Sequence, residues 1–169
     1  MRKTKVLILF GGQSAEHEVS VVSARSVCQA INRNCYVPIL VGIARDGRWF
    51  FEGSNDSLLR SNVVNSEPTS LVRLGINSGE LVDSRGVVLE DGRFDVAFPL
   101  LHGPYGEDGC IQGLFELEGF PYVGAGVAAS AVGMDKELSR AAFNAAGLKQ
   151  IKYHVIRRSN WYENPKAIV

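Results

Sequence analysis

The stretch Lys5-Val6-Leu7-Ile8-Leu9-Phe10 constrains this chain more than any other. Its unbroken apolar run cannot alternate between core and solvent. The strand it forms must therefore be covered on both faces, as strands of a parallel sheet are. Gly11-Gly12-Gln13-Ser14 interrupts the run. A helix is expected from about Glu16 or Ser20 to Ile31, with Val19, Val22, Val27, Ala30 and Ile31 as its apolar face. Asn32-Arg33-Asn34 stops that helix, and Tyr36–Ala44 supplies a second strand. Strand, glycine turn, helix and strand make a βαβ unit, which implies a parallel pair and a right-handed crossover. The expected class is α/β: an open, mainly parallel Rossmann-like sheet flanked by helices.

Composition excludes several function classes. Eighteen basic residues balance eighteen acidic ones, so the basic excess typical of nucleic-acid or anionic-membrane partners is missing. Cys28, Cys35 and Cys110 fit neither a disulfide framework nor a zinc spacing and suit reduced thiols. Arg2-Lys3-Thr4-Lys5 precedes an apolar run too short for a signal peptide, and no transmembrane stretch follows. The expectation is a soluble cytoplasmic domain with no nucleic-acid or membrane partner.

Residues 45–93 read as a peripheral insertion arm. Asp46-Gly47 turns the chain into a short hairpin at Arg48–Phe51, and strand candidates stand at Ser70–Leu74 and Gly86–Leu89. Phe94–Leu101 returns to the sheet. A helix from Cys110 to Glu118 buries Ile111, Leu114 and Phe115 and ends at Gly119. Pro121–Val123 is a short strand, Val127–Val132 a small-residue helix, and Lys136–Ala146 a further helix closed by Gly147. Ile151–Ile156 begins another strand. Asn164–Val169 reads as the approach to something further, so the chain is expected to be part of a longer enzyme. Residues 1–133 form the first domain and 134–169 the start of a second.

Three stretches carry candidate chemistry. His102, Glu107 and Asp108 stand in the glycine-rich turn where a strand ends and a helix begins, which is where open α/β sheets build ligand sites. Gly11–Glu18 lies between strand and helix, where free backbone N–H groups collect. It has no Gly-Lys-Ser/Thr ending and no second histidine at zincin spacing, so it is neither a P-loop nor a zincin helix. Glu16 and Glu18 point about 200° apart on a helix, so one can bind an ammonium group while the other favours the dipole. The alternative is that both only complement the dipole. Gly124-Ala125-Gly126 fits a loose dinucleotide pattern, but the next strand ends in Arg157-Arg158 with no acid, which favours close helix packing instead. Lys136, beside that turn, is either a phosphate ligand or a solvated lysine. His154 sits on an apolar strand and reads as structural.

Taken together, three strings resemble one family. They are Gly11-Gly12-x-Ser14-Ala15-Glu16-x-Glu18-Val19-Ser20, then Leu101-His102-Gly103-x-x-Gly106-Glu107-Asp108-Gly109-x-Ile111-Gln112-Gly113, then Tyr122-Val123-Gly124-x-Gly126-Val127-x-Ala129-Ser130 through Met134-Asp135-Lys136. Their order and content resemble the D-alanine–D-alanine ligases of the ATP-grasp superfamily, a bacterial cell-wall family. Cys110 departs from the threonine or serine usual there. The resemblance implies ATP-dependent joining of two D-alanines through a D-alanyl phosphate, with Mg2+ or Mn2+ and a homodimer. It implies Glu16 on the first substrate's ammonium, His102 beside that substrate's carboxylate, Ser20 in support of Glu16, and Lys136 on ATP phosphates. The family's phosphate loop, adenine pocket, transition-state arginine and metal carboxylates match nothing in these 169 residues, so this chain alone is expected to be inactive and to hold no metal ligand. Two other readings stay open: a non-catalytic truncated domain, and the N-terminal domain of another ATP-grasp ligase or carboxylase. The Ser-Ala-Glu-x-Glu-Val-Ser and His-Gly-x-x-Gly-Glu-Asp-Gly strings argue against the second.

Overall fold

The computed structural model describes residues 2–51, 59–64, 71–75 and 79–163. It divides into two compact units, Met1–Met134 and Asp135–Val169.

In the first unit, β1 (Thr4–Gly11) lies between β2 (Tyr36–Ile43) and β7 (Val96–Pro99) and runs parallel to both. The apolar run demands this central place, and its alternate residues serve two cores. Leu7 and Leu9 join Ile111 and Phe115 of α2 (Cys110–Leu117) on one face. Val6, Ile8 and Phe10 join Val21, Ala24 and Cys28 of α1 (His17–Ala30) on the other. The expected Pro121–Val123 strand is reduced to one parallel bridge, Ala97 to Tyr122, outside β7. α3 (Val127–Met134) follows it.

The insertion does not stand apart from the sheet. β3 (Trp49–Phe51), β4 (Leu71–Leu74), β5 (Glu80–Asp83) and β6 (Val88–Arg93) extend it as an antiparallel meander beyond β2, giving the order β6-β5-β4-β3-β2-β1-β7. The sheet is thus parallel around β1 and antiparallel in the arm; the short connections from β2 to β3, β4 to β5 and β5 to β6 permit only antiparallel pairing. Of the expected strand candidates, Ser70 lies outside the described residues and Leu71–Leu74 is β4.

One expectation about a helix face changes. Val19 and Val22 are 53% and 47% exposed, and the buried face of α1 is His17, Ser20, Val21, Ala24 and Cys28. Hydrophobicity alone points to the wrong face because two of the five inward residues are polar. On α2 the expected residues face inward: Ile111 and Phe115 are in the core and Leu114 packs against it.

The second unit contains α4 (Lys136–Ala145) and α5 (Arg158–Glu163). Asp135 caps α4 by accepting the N–H groups of Glu137 and Leu138. Arg157 holds Glu137 through both carboxylate oxygens, and the Arg140 guanidinium lies 4.6 Å from the centre of the Tyr153 ring. Ile151–Ile156 forms no strand. A strand needs a ladder partner, and among the described residues of this unit there is none. His154 is accordingly exposed and not part of an apolar strand. Asn164–Val169 lies outside the described residues.

The packing of α2 yields a paired prediction. Phe115 has no exposed surface while Leu117, two residues on, is 84% exposed. Phe115→Ala should cost about 3–5 kcal/mol and Leu117→Ala at most about 0.5 kcal/mol in denaturant unfolding. Equal losses would contradict the assignment of α2 to the core between the sheet and solvent.

Candidate active site

A parallel sheet leaves its loops at the carboxyl ends of its strands, and neighbouring loops separate where the crossovers diverge. Here β1 crosses through α1 to β2 on one side, and β7 crosses through α2 to Tyr122 on the other. The turn after β1 and the turn after β7 therefore open away from each other, leaving a crevice that the protein must hold in shape.

The first turn begins at Gly11, whose φ is +91°. A Cβ there would lie 2.3 Å from the Ile43 carbonyl oxygen, so only glycine fits. The Gly12 N–H then donates to the Ile43 carbonyl at 2.8 Å. Ser14 accepts the Glu16 N–H at 3.1 Å and starts the helix.

One face of α1 binds the second turn. Glu16, Ser20 and Ser23 recur at helical spacing, so their side chains project in nearly one direction. Ser20, with no exposed surface, accepts the Gly11 N–H at 2.8 Å and donates to the Leu100 carbonyl at 2.5 Å. The Ser23 hydroxyl lies 3.1 Å from Nε2 of His102. Oε2 of Glu16 lies 3.1 Å from the point a Cβ on Gly103 would occupy, so glycine at 103 lets this carboxylate close over the backbone. Glu16, Ser20 and His102, all candidates from sequence, are brought together. Ser20 is a brace between the two strand ends and carries no surface for a substrate. Lys136 is exposed in the first turn of α4, in the second unit.

The two glutamates part as their spacing requires. Glu18 pairs with Arg45, whose hydrogen bond holds the Glu18 carboxyl below the usual carboxylate range. Among the described residues, no donor reaches the exposed Glu16 carboxylate. Glu107 is anchored: its Oε2 accepts the Gly103 N–H at 2.8 Å, and its Oε1 stands 3.8 Å from Nδ1 of His102. Asp108 accepts the N–H groups of Tyr105 and Cys110 at 2.8 and 3.0 Å. Asp108 beside the Cys110 thiol pushes that thiol's pKa up, which disfavours the thiolate.

Sequence reasoning missed His17, which is fully buried. Nδ1 donates to the Gly12 carbonyl at 2.7 Å and Nε2 accepts the Val64 N–H at 3.0 Å, which fixes the tautomer and ties the first turn to the insertion. The signal available was its place on the inward row with Ser20, Val21, Ala24 and Cys28. A cleft of about 240 Å3 also borders both turns, lined by Gly12, Gln13, Leu101, Tyr105, Cys110 and Ile111. It lies on the α2 side and includes neither Glu16 nor His102, so the polar groups on the α1 side define the candidate site.

Asp108 gives a pH prediction. Burial raises its pKa, but the Tyr105 and Cys110 N–H groups outweigh that and hold it below the ordinary 3.8. A depressed native value means stabilisation that is complete above the ordinary value and lost as pH falls through the lowered one. Hydrogen exchange, corrected for intrinsic rates, should show Tyr105 and Cys110 amides equally protected from neutrality down to 3.8, then losing protection below it. Asp108→Asn should remove that pH step, and a step that persists in the variant would contradict the assignment.

Comparison with known proteins bears on the whole arrangement. The family model described as "D-ala D-ala ligase N-terminus" matches residues 5–125. The D-alanine–D-alanine ligase of Streptomyces avermitilis is 44% identical over 98% of this chain and 46% of its own length. That of Enterococcus gallinarum is 42% identical over 97% and 49%. Among solved structures, the D-Ala:D-Ser ligase VanG of Enterococcus faecalis superposes with a TM-score of 0.81 at 32% identity, covering 99% of this chain and 49% of that one. The D-alanine–D-alanine ligase of Coxiella burnetii gives 0.79 at 29%, covering 92% and 46%. The chain spans about half the length of the curated relatives it matches. On the family match and the shared fold, the chain belongs to the D-alanine–D-alanine ligase N-terminal family.

Proposed function

We propose that this chain supplies the first-substrate half of a cytoplasmic ligase that joins two D-alanines at the expense of ATP for peptidoglycan synthesis. The observation that carries the reading is the contrast between the two glutamates: Glu18 is paired with Arg45, while Glu16, which no donor among the described residues reaches, stands at the crevice beside Gly103. A carboxylate without a partner suits a ligand ammonium. In this reading Glu16 takes the ammonium of the first D-alanine, and His102 steadies its carboxylate as charge develops there. ATP phosphorylates that carboxylate, and the amine of the second D-alanine displaces the phosphate to form the peptide bond. Ser20 keeps the two turns in register.

Lys136 is the candidate contact for ATP phosphates. It is exposed and, among the described residues, has no carboxylate partner. Magnesium or manganese enters the reading through the family. Among the described residues no three His, Cys, Asp or Glu side chains gather at one point, so no residue of this chain is assigned to a metal. No helix among the described residues is long and apolar enough to cross a membrane.

The homodimer expected from the resemblance is proposed to use the α1 side of the sheet. Val19 and Val22 are exposed there, and Val6, Val27, Ala30, Ile31, Tyr36 and Val123 line an apolar groove of about 390 Å3. Val22→Glu should then shift sedimentation of the full-length protein towards monomer, and an unchanged dimer would remove this face from consideration.

Glu16→Gln in the full-length protein should lower kcat/KM for D-alanine at fixed ATP at least about thirtyfold. That loss follows from about 2–5 kcal/mol for a charged partner left unpaired. Glu18→Gln should cost about 1 kcal/mol or less, the worth of an exposed ion pair at a helix start. Equal small losses would mean that both glutamates serve only the helix.

A further inference from the structure

We infer that Ser23 is a positioning residue that fixes which ring nitrogen His102 presents to the ligand; the inference rests on the proposed role of His102. Ser23 is half-buried on the same face of α1 as Glu16 and Ser20, and its hydroxyl lies 3.1 Å from Nε2 of His102. The opposite ring nitrogen, Nδ1, faces Oε1 of Glu107 at 3.8 Å, which is too long for a hydrogen bond but close enough for attraction. Glu107 cannot swing nearer without giving up the Gly103 N–H that its other oxygen accepts at 2.8 Å.

This geometry points to one placement of the proton. A carboxylate only accepts, so the side of the ring facing Glu107 carries the hydrogen, and Nε2 receives the Ser23 O–H. Ser23 therefore occupies Nε2 and leaves Nδ1–H as the unspent donor. That donor faces Glu107, whose other oxygen holds the Gly103 N–H, and the Glu16 carboxylate lies against the same glycine. A ligand with an ammonium and a carboxylate would meet Glu16 with the first and Nδ1–H with the second. If the ring protonates, the same hydroxyl turns and accepts Nε2–H, so the orientation survives in both states. Alanine at 23 has no group for either arrangement. Threonine keeps the hydroxyl.

The test uses the full-length protein labelled with 15N at histidine. In the native protein the His102 nitrogen shifts should report the Nδ1–H tautomer; in Ser23→Ala they should move towards the mixture of a free imidazole. The same variant should lose about tenfold in kcat/KM for D-alanine, the worth of one hydrogen bond, with KM for ATP unchanged. Ser23→Thr should restore both readouts. His102→Ala is the control. If His102→Ala is impaired but Ser23→Ala keeps native shifts and native kinetics, the inference about Ser23 is overturned and the role of His102 stands. If His102→Ala itself leaves D-alanine kinetics unchanged, the proposed function of the site fails, and the nitrogen shifts alone then decide whether Ser23 sets the tautomer. A shift change in Ser23→Ala that Ser23→Thr does not reverse would also overturn the inference, because the hydroxyl would then not be its cause.

Discussion

The hydroxyl of Ser20 joins the ends of two adjacent parallel strands where their backbone ladder stops, just past the bond from the Leu100 N–H to the Leu9 carbonyl. It receives the N–H of Gly11 at the end of β1 and gives its proton to the carbonyl of Leu100 just beyond β7. The Gly11 N–H is shut away from water and would cost about 1–3 kcal/mol if left unmatched, while the Leu100 carbonyl is half-buried. With that bridge in place, neighbouring side chains on α1 meet fixed targets: Ser23 meets His102, and Glu16 meets the backbone at Gly103. The helix reads the second turn through one polar row, while Val21, Ala24 and Cys28 anchor it to the sheet.

Two carboxylates two residues apart end in opposite circumstances because a helix turns them in opposite directions. Glu18 meets Arg45, which also donates to the Ser14 carbonyl and so belongs to the wall of the first turn. Among the described residues, no donor meets Glu16, whose carboxylate lies against Gly103. A negative charge left open at a helix start is favoured by the dipole in the absence of ligand and remains available to a cation. The same logic separates the carboxylates of the second turn. Glu107 and Asp108 are both spent on backbone N–H groups, so they shape the loop instead of binding from it.

The central βαβ unit was legible in the sequence because Val6–Phe10 can satisfy burial on both faces only in the middle of a parallel sheet. The placement of Glu16 and His102 in the turns after β1 and β7 was legible because glycines after an apolar run mark a strand end. The inward face of α1 was not, since His17 and Ser20 are polar and the outward Val19 and Val22 are apolar. Burial there is decided by hydrogen bonds to Gly12, Val64, Gly11 and Leu100, which lie up to eighty residues away in sequence. Ser23 was hidden for the same reason: its partner, His102, is distant along the chain. The arm was recognised as strands but not as part of the main sheet, because the pairing of β3 with β4, across residues 52–70, is a choice that local pattern does not encode. Ile151–Ile156 has the composition of a strand and lacks a partner to make it one.

The account rests on the crevice between the two turns accepting a zwitterion, with Glu16 as the ammonium partner. Titration of the 15N-labelled full-length protein with D-alanine, and separately with D-lactate, which carries a hydroxyl in place of the ammonium, tests this directly. The account predicts that D-alanine shifts the amide signals of residues 14–16 and 101–108, and that D-lactate at the same concentration leaves 14–16 unmoved. Equal shifts with both ligands, or D-alanine shifts confined to residues outside the two turns, would contradict it.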